Sequence, residues 1–335
     1  MSSLRPVDGT APEILELLRE WNAAADPEPL VIATSGSTGR PKKVLLSRDA
    51  MRASALATHE RLGGPGQWVL NLPPTYVAGV QVLYRSIVAG TEPLFEDEVD
   101  SSLPGRAYVS LVPTQLYRAL EDGLDAQALT RFDAVLVGGG PLSPDVRAKA
   151  EQAGIRVVQT YGMSETCGGC VYDGRPLAGV EIRIGEDDEV LLRGPMLFDG
   201  YAGEPERTAR ALADGWFHTE DLGAITADGR LQVLGRTDDV IISGGVKVPA
   251  KAVAVAISAD DSVRAVEVVG VPDKEWGERV VAVVAPNDPI TLATVRDLVA
   301  PREWAPRQLV LVEEIPELPN GKPDLLAMRE LAARG

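Results

Sequence analysis

Four short apolar runs limit most what this chain can become: WVLNLP (68–73), AYVSLVP (107–113), DAVLVGGG (133–140) and RVVQTYG (156–162). Within each, the apolar residues follow one another without polar alternation. A strand of that texture is buried on both faces, as in a parallel sheet covered by helices. Each run closes on Gly, Pro or polar residues. Stretches with helical spacing lie between and before them: 11–22, SRDAMRASALATHERLG from an N-capping Ser47, TQLYRALED, and SPDVRAKAEQAG. The expected fold class is α/β, with a mainly parallel sheet flanked by helices. Ligands of such sheets sit outside the carboxyl ends of the strands.

From about residue 180 the texture changes. VEIRIGEDDEVLLRG and GAITADGRLQVLGR read as short antiparallel strands with Gly and Asp turns, a β-rich subdomain. After Arg236 comes a compact mixed segment with VRAVEVVGVPD and RVVAVVAP as strands. The domain boundary is placed at GRTDD, giving a large N-terminal domain over 1–235 and a small α+β domain over 236–335.

The net charge of −16 over 335 residues argues against nucleic acid or an anionic membrane as the main partner, since both need a basic face. The N-terminal segment has no apolar signal core, and no run approaches membrane-spanning length, so a cytoplasmic protein, monomer or homodimer, is expected. With two histidines, His59 and His218, chemistry that needs a histidine cluster is excluded. The two cysteines form CGGC at 167–170; one pair cannot complete a four-ligand zinc site. Small residues there are expected to line a pocket, and both histidines are expected to be structural.

The stretch TSGSTGRPKKV, 34–44, is small, hydroxyl-rich and ends in two lysines. It is read as a loop between the strand PLVIA and the helix that follows Ser47. It lacks the G-x-x-x-x-G-K-[ST] order of the common phosphate loop. On its own it fits an anion cradle or a plain connection.

Five further stretches follow in order: GGGPL (138–142), YGMSET (161–166), GWFHTEDLG (215–223), GRTDDVIISGGVKV (235–248) and LPNGK (318–322). With the loop they resemble the adenylate-forming superfamily of acyl- and aryl-CoA synthetases, luciferases and peptide-synthetase adenylation domains, over nearly all of the chain from residue 30. The resemblance implies ATP, Mg2+ and coenzyme A. A carboxylate attacks the α-phosphate of ATP, pyrophosphate leaves, and a thiol then displaces AMP. The acid is already ionised at neutral pH, so the first step needs charge stabilisation and positioning rather than a base.

The same resemblance assigns residues. Thr34, Ser35, Gly36, Ser37, Thr38, Gly39 and Lys42 would wrap the β- and γ-phosphates; Lys43 stands where the family usually has Gly. Glu165 would bind magnesium. Gly138, Gly139, Gly140, Pro141, Tyr161, Gly162 and Ser164 would surround the adenine, with Thr166 also counted among the nucleotide contacts. Asp221 would hold the ribose hydroxyls and Arg236 the ribose or phosphate; Glu220 replaces a frequent Gly. Lys322 would bridge the attacking carboxylate and the α-phosphate, although Pro323 and Asp324 depart from the usual GKxxR. Asp238 falls at the hinge position of a mobile C-terminal domain, and Gly244, Gly245 and Lys247 on the face used in the thiol step.

The acid is read from NLPPTYVAGVQVLYRSIVAG, 71–90, which matches the LPxFHxxG segment of the family with Tyr76 in place of its histidine. Arg85 is a lone cation in an apolar helical run; by pattern alone it fits an exposed helix face or a buried site. It resembles an Arg that o-succinylbenzoate-CoA ligases of menaquinone biosynthesis carry at this spacing. The implied substrate is an aromatic dicarboxylate, whose second carboxylate a guanidinium holds bidentately. Another aryl- or short-acyl-CoA ligase, or a stand-alone adenylation enzyme for a carrier protein, are the alternatives; the latter would want an Asp within 74–79, where PTYVAG has none. Superfamily members place far more sequence before the phosphate loop, and that trimming suits a small acid.

Overall fold

A computed structural model describes residues 5–34, 42–95, 103, 105–316 and 323–334. Two compact units emerge. The first comprises 1–183, 191–219 and 225–231, and the second 184–190, 220–224 and 232–335. A single cut at 235 therefore misses two upstream segments that group with the second unit.

The first unit is built on a seven-stranded sheet. Its order is Arg175–Pro176, Gly168–Tyr172, Val157–Met163, Ala134–Val137, Ala107–Leu111, Gln67–Leu70 and Leu94–Phe95. The last five strands run parallel and the first two antiparallel. The four apolar runs are its centre, and Gln67–Leu70, Ala107–Leu111 and Ala134–Val137 are buried throughout. Burial on both faces explains why their sequences do not alternate. Val69, Val109, Val135, Val137 and Val157 pack with Leu116, Ala126, Leu129 and Ala150 of the helices Pro113–Glu121, Gly123–Leu129 and Pro144–Gln152.

The helix Val77–Ala89 packs against the strand Gln67–Leu70, and the helices Arg48–Arg61 and Ala11–Ala23 pack on it in turn. The rings of Trp68 and Tyr108 lie 4.9 Å apart at their centroids. Trp21 donates its indole N–H to the Glu28 carbonyl at 2.7 Å and meets Tyr84 edge-on at 5.8 Å. As expected, Ser47 caps the helix Arg48–Arg61, accepting from the Ala50 amide at 3.4 Å.

A smaller sheet corrects one expectation. The segment 35–41 does not join a strand to a helix. It joins two antiparallel strands, Leu30–Thr34 and Lys42–Leu46, whose ends Thr34 and Lys42 are paired. The sequence KKVLL carries the reason: Val44 and Leu46 are buried while Lys43 is exposed, the period-two pattern of a strand. Gly200–Tyr201 adds to this sheet beside Lys42–Leu46.

In the second unit, Val246–Pro249, Val240–Ser243, Gly277–Pro286 and Val263–Asp273 form a sheet, with Gln308–Leu311 parallel to Gly277–Pro286. One face packs with Ala250, Val253, Ala254 and Ile257 of the helix Ala250–Ile257 and with Val295. The other packs with Met328 and Ala332 of the helix Leu325–Arg334. Gly244 and Gly245, at φ +60° and +80°, make the two-residue turn of the hairpin 240–249, a conformation that excludes most side chains. The mainly parallel α/β unit with an α+β companion is the fold class expected. No described helix is long and apolar enough to cross a membrane.

Gly79 seats the helix Val77–Ala89. A Cβ there would lie 2.2 Å from the Pro73 carbonyl oxygen and 2.9 Å from Pro74 Cα, both backbone atoms. Gly79→Ala is expected to lower unfolding free energy by about 2 kcal/mol or more, read from urea melts, because overpacking against backbone cannot be relieved by a rotamer change. An unchanged midpoint would show that the helix start is slack.

Candidate active site

The carboxyl ends of the parallel strands open onto a cavity of about 350 Å3. It is lined by Leu72, Pro73, Tyr76 and Val77 on one side, by Ser110 and Val112, and by Gly138, Gly139, Thr160 and Gly162 from the next strand ends. Two of these glycines are dictated by space. A Cβ on Gly138 would sit 2.3 Å from Thr160 Oγ1, and one on Gly162 2.1 Å from the Gly168 carbonyl oxygen. Tyr161 is half-buried beside them, and Tyr76 is exposed at the cavity's edge.

YGMSET turns sharply after the strand Val157–Met163, and Ser164–Thr166 is a single tight turn. Thr166 is fully buried. Its hydroxyl donates to the Gly168 carbonyl at 2.7 Å and accepts from the Met163 amide at 2.9 Å, so it holds the turn rather than reaching a ligand. Ser164 and Glu165 are buried too. Glu165 Oε1 accepts from the Tyr201 hydroxyl at 2.9 Å, and Lys42 Nζ stands 5.7 Å from the Tyr201 ring centre. Tyr201 therefore joins the metal candidate to the phosphate candidate. Among the described residues no group of three or more His, Cys, Asp or Glu could hold a metal. One oriented carboxylate fits Mg2+, which is held by one or two carboxylates and the phosphates of its substrate.

Arg85 is the outstanding feature of the cavity wall. It is 3% exposed, with its Cζ 4.9 Å over the Trp68 ring. Its Nη2 donates to the Tyr172 hydroxyl at 3.4 Å, and that hydroxyl lies 3.0 Å from Thr58 Oγ1. Its Nε has no hydrogen-bond partner, and it makes no ion pair, among the described residues. Trp68 is steadied from behind, its indole N–H donating to His59 Nε2 at 3.1 Å. Burial, and secondarily the Arg85 charge, pull the His59 pKa down to about 4, so the imidazole is neutral with its proton on Nδ1. The exposed-helix alternative for Arg85 is thereby set aside.

In the second unit, Asp221 is buried and Glu220 beside it adopts φ +62°, a left-handed conformation unusual for a residue other than Gly. Arg236 reaches both carboxylates, at 3.5 Å to Asp221 and 3.1 Å to Glu220. Thr237 donates its hydroxyl to the Glu220 carbonyl at 3.1 Å. Lys247 pairs with Asp187 at 2.5 Å on the surface. Ser35, Gly36, Ser37, Thr38, Gly39 and Lys322 lie outside the described residues, as does the side chain of Asp238.

The AMP-binding enzyme family matches residues 11–202, and its C-terminal domain matches residues 252–322. The chain belongs to the AMP-binding enzyme family.

Among its relatives, a protein named probable 2-succinylbenzoate--CoA ligase from Mycobacterium tuberculosis (strain ATCC 25618 / H37Rv) is 42% identical, over 94% of this chain and 87% of that protein. A 2-succinylbenzoate--CoA ligase from Enterococcus faecalis is 32% identical over 87% of this chain and 67% of its own length. The solved o-succinylbenzoate CoA synthetase (MenE) from Bacillus subtilis, in complex with the acyl-adenylate intermediate OSB-AMP, superposes with a TM-score of 0.75 at 25% identity, covering 90% of this chain and 68% of that one. The amide bond synthetase McbA from Marinactinospora thermotolerans superposes with a TM-score of 0.78 at 29% identity, covering 90% and 68%.

This AMP-binding enzyme carries site features that its motifs did not announce. Tyr201, Trp68 and Tyr172 each touch a candidate residue distant in sequence, and nothing local marks them; His59 in turn holds Trp68. Gln81 had a signal, its position one helical turn before Arg85. The expectation that the small residues of CGGC line a pocket holds for its two glycines. Both thiols are buried, and burial pushes both pKa values up, Cys170 to about 12. The intervening Gly168 and Gly169, not the cysteines, line the cavity.

His59 gives the site a pH signature. Between pH 6.5 and about 4 the unfolded chain takes up a proton that the folded chain refuses. Its stabilising contribution is thus present above the unfolded pKa and is lost as pH falls, by on the order of 3 kcal/mol in full. His59→Gln, which can still accept from Trp68, is expected to flatten urea-melt stability against pH over that window relative to the wild type. Parallel curves would show that His59 is not held neutral.

Proposed function

We propose that this chain is an ATP-dependent 2-succinylbenzoate--CoA ligase of menaquinone biosynthesis. It joins the acid to AMP with release of pyrophosphate, then passes the acyl group to the thiol of coenzyme A with release of AMP. The observation that carries the reading is Arg85. A guanidinium buried in the cavity wall, with no carboxylate partner among the described residues, is costly unless an anion arrives to complete it. An aromatic dicarboxylate supplies that anion with the group that is not activated. The names of the relatives support the same acid.

The chain's own residues divide the work. Gly138, Gly139 and Gly162 let backbone approach the ligand closely. Thr34 and Lys42, with Ser35, Gly36, Ser37, Thr38 and Gly39, are assigned to the phosphates, and Tyr161, Gly140, Pro141 and Ser164 to the adenine. Asp221 and Arg236 are assigned to the ribose. Mg2+, oriented by Glu165, would neutralise charge on the transferring phosphate. Lys322 is assigned to the charge that develops between the attacking carboxylate and the α-phosphate. Lys247 is assigned to the thiol step. A cytoplasmic monomer or homodimer fits the acidic composition.

The test is pyrophosphate release with a panel of acids, and mass spectrometry of the thioester. 2-Succinylbenzoate is expected to exceed benzoate and simple monocarboxylates; the reverse order overturns the assignment. Arg85→Ala should lower kcat/KM for the dicarboxylate by about 30-fold or more, chiefly through KM, since it strips the ring carboxylate of a charge-assisted pair. Lys322→Ala should slow adenylation by about 100-fold or more while leaving ATP binding.

A further inference from the structure

Gln81 has no part in the assignments above, yet it is buried in the cavity wall at 1% exposure. It lies one turn before Arg85 on the helix Val77–Ala89, so both side chains leave the same face. Its Nε2 donates to Met51 Sδ at 3.4 Å, a weak acceptor. Its Oε1 has no hydrogen-bond partner among the described residues. One turn on, the Nε of Arg85 is an unmet donor. Gly168, which lines the same cavity, lies beside Gln81: a Cβ there would be 3.4 Å from Gln81 Cγ, at van der Waals contact. A buried unmet acceptor and a buried unmet donor, adjacent on one helix face and lining one cavity, are complementary. Left apart, each costs stability.

We propose that Gln81 is a positioning residue for the acid: its Oε1 accepts the Nε–H of Arg85 when the dicarboxylate binds. That bond fixes the plane of the guanidinium and turns both Nη groups toward the ring carboxylate for a two-point grip. The amide keeps its Nε2 on Met51, so both ends of Gln81 are then engaged. An amide suits this task because it carries an acceptor and no charge. A carboxylate in its place would neutralise Arg85 permanently and compete with the substrate.

The inference rests on the dicarboxylate reading, and the experiment separates the two. Kinetics of Gln81→Leu are compared for 2-succinylbenzoate and for 4-oxo-4-phenylbutanoate, which lacks the ring carboxylate. The expected result is a KM raised about tenfold for the dicarboxylate with kcat unchanged, and no change for the monocarboxylate. In an Arg85→Lys background, which has no Nε–H in the same place, Gln81→Leu should add nothing. Gln81→Glu should raise the dicarboxylate KM further. Equal losses for both acids, as from damage to the fold, overturn the proposal, and so does an undiminished effect in the Arg85→Lys background. If the wild type shows no preference for the dicarboxylate, the functional reading itself falls; if the preference stands but Gln81→Leu retains it, only the role of Gln81 falls.

Discussion

A guanidinium enclosed without a counter-ion among the described residues is the constraint around which the first unit is arranged. Taking a charge out of water is expensive, and ordinary proteins answer it with a carboxylate. Here the answer is partial. Trp68 offers the face of its ring, Tyr172 offers a hydroxyl, and the remaining valence of Arg85 is left toward the cavity. The neighbours conform to that choice. His59 stands behind Trp68 and stays neutral, because a second cation in the same apolar surroundings would be repelled and unsolvated. The helix that bears Arg85 is seated by a glycine pressed against the Pro73 carbonyl, so the cation's depth is set by backbone contacts.

The rest of the cavity depends on close approach of backbone. Gly138 lies against the hydroxyl of Thr160, and Gly162 against the carbonyl of Gly168, with no room for a methyl group at either. These contacts bring strand ends together at the rim of a parallel sheet, where the ladder stops and peptide groups become available to a ligand. The tight turn at Ser164–Thr166 uses the Thr166 hydroxyl to close itself, and in doing so presents Glu165 toward Tyr201. A catalytic-looking residue and a purely structural one thus sit side by side within one motif.

Much of this was legible in the sequence. Unbroken apolar runs gave away the parallel sheet, and the helical spacing around Arg85 gave away its helix. What the pattern left open was whether Arg85 faces solvent. That is decided by Trp68 and Tyr172, 17 and 87 residues away, and periodicity within one element carries no such information. The strand Lys42–Leu46 was missed because a glycine-rich loop ahead of a capped helix suggests a direct handover, and five residues are a short sample of alternation. The Cys pair looked like pocket lining because small residues follow one another there. Gly168 and Gly169 both line the cavity, whereas both thiols are buried. Departures from motif, such as Glu220 for Gly, were visible. Their consequence, a left-handed backbone beside Asp221, was not.

The small sheet that holds Lys42–Leu46 and Gly200–Tyr201 behaves as a ruler. Tyr201 is paired across the ladder with Val44, two residues along the strand from Lys42, so tyrosine and lysine share one face at a spacing set by peptide geometry. The same tyrosine hydroxyl fixes Glu165. The interval between a cation that can meet phosphate and a carboxylate that can meet a metal is therefore written in main-chain hydrogen bonds rather than in flexible side chains. A slip of one residue in that register would turn Lys42 to the opposite face. It would also uncouple Lys42 from the tyrosine that steadies Glu165. The cation and the carboxylate are calibrated together, and they would be lost together.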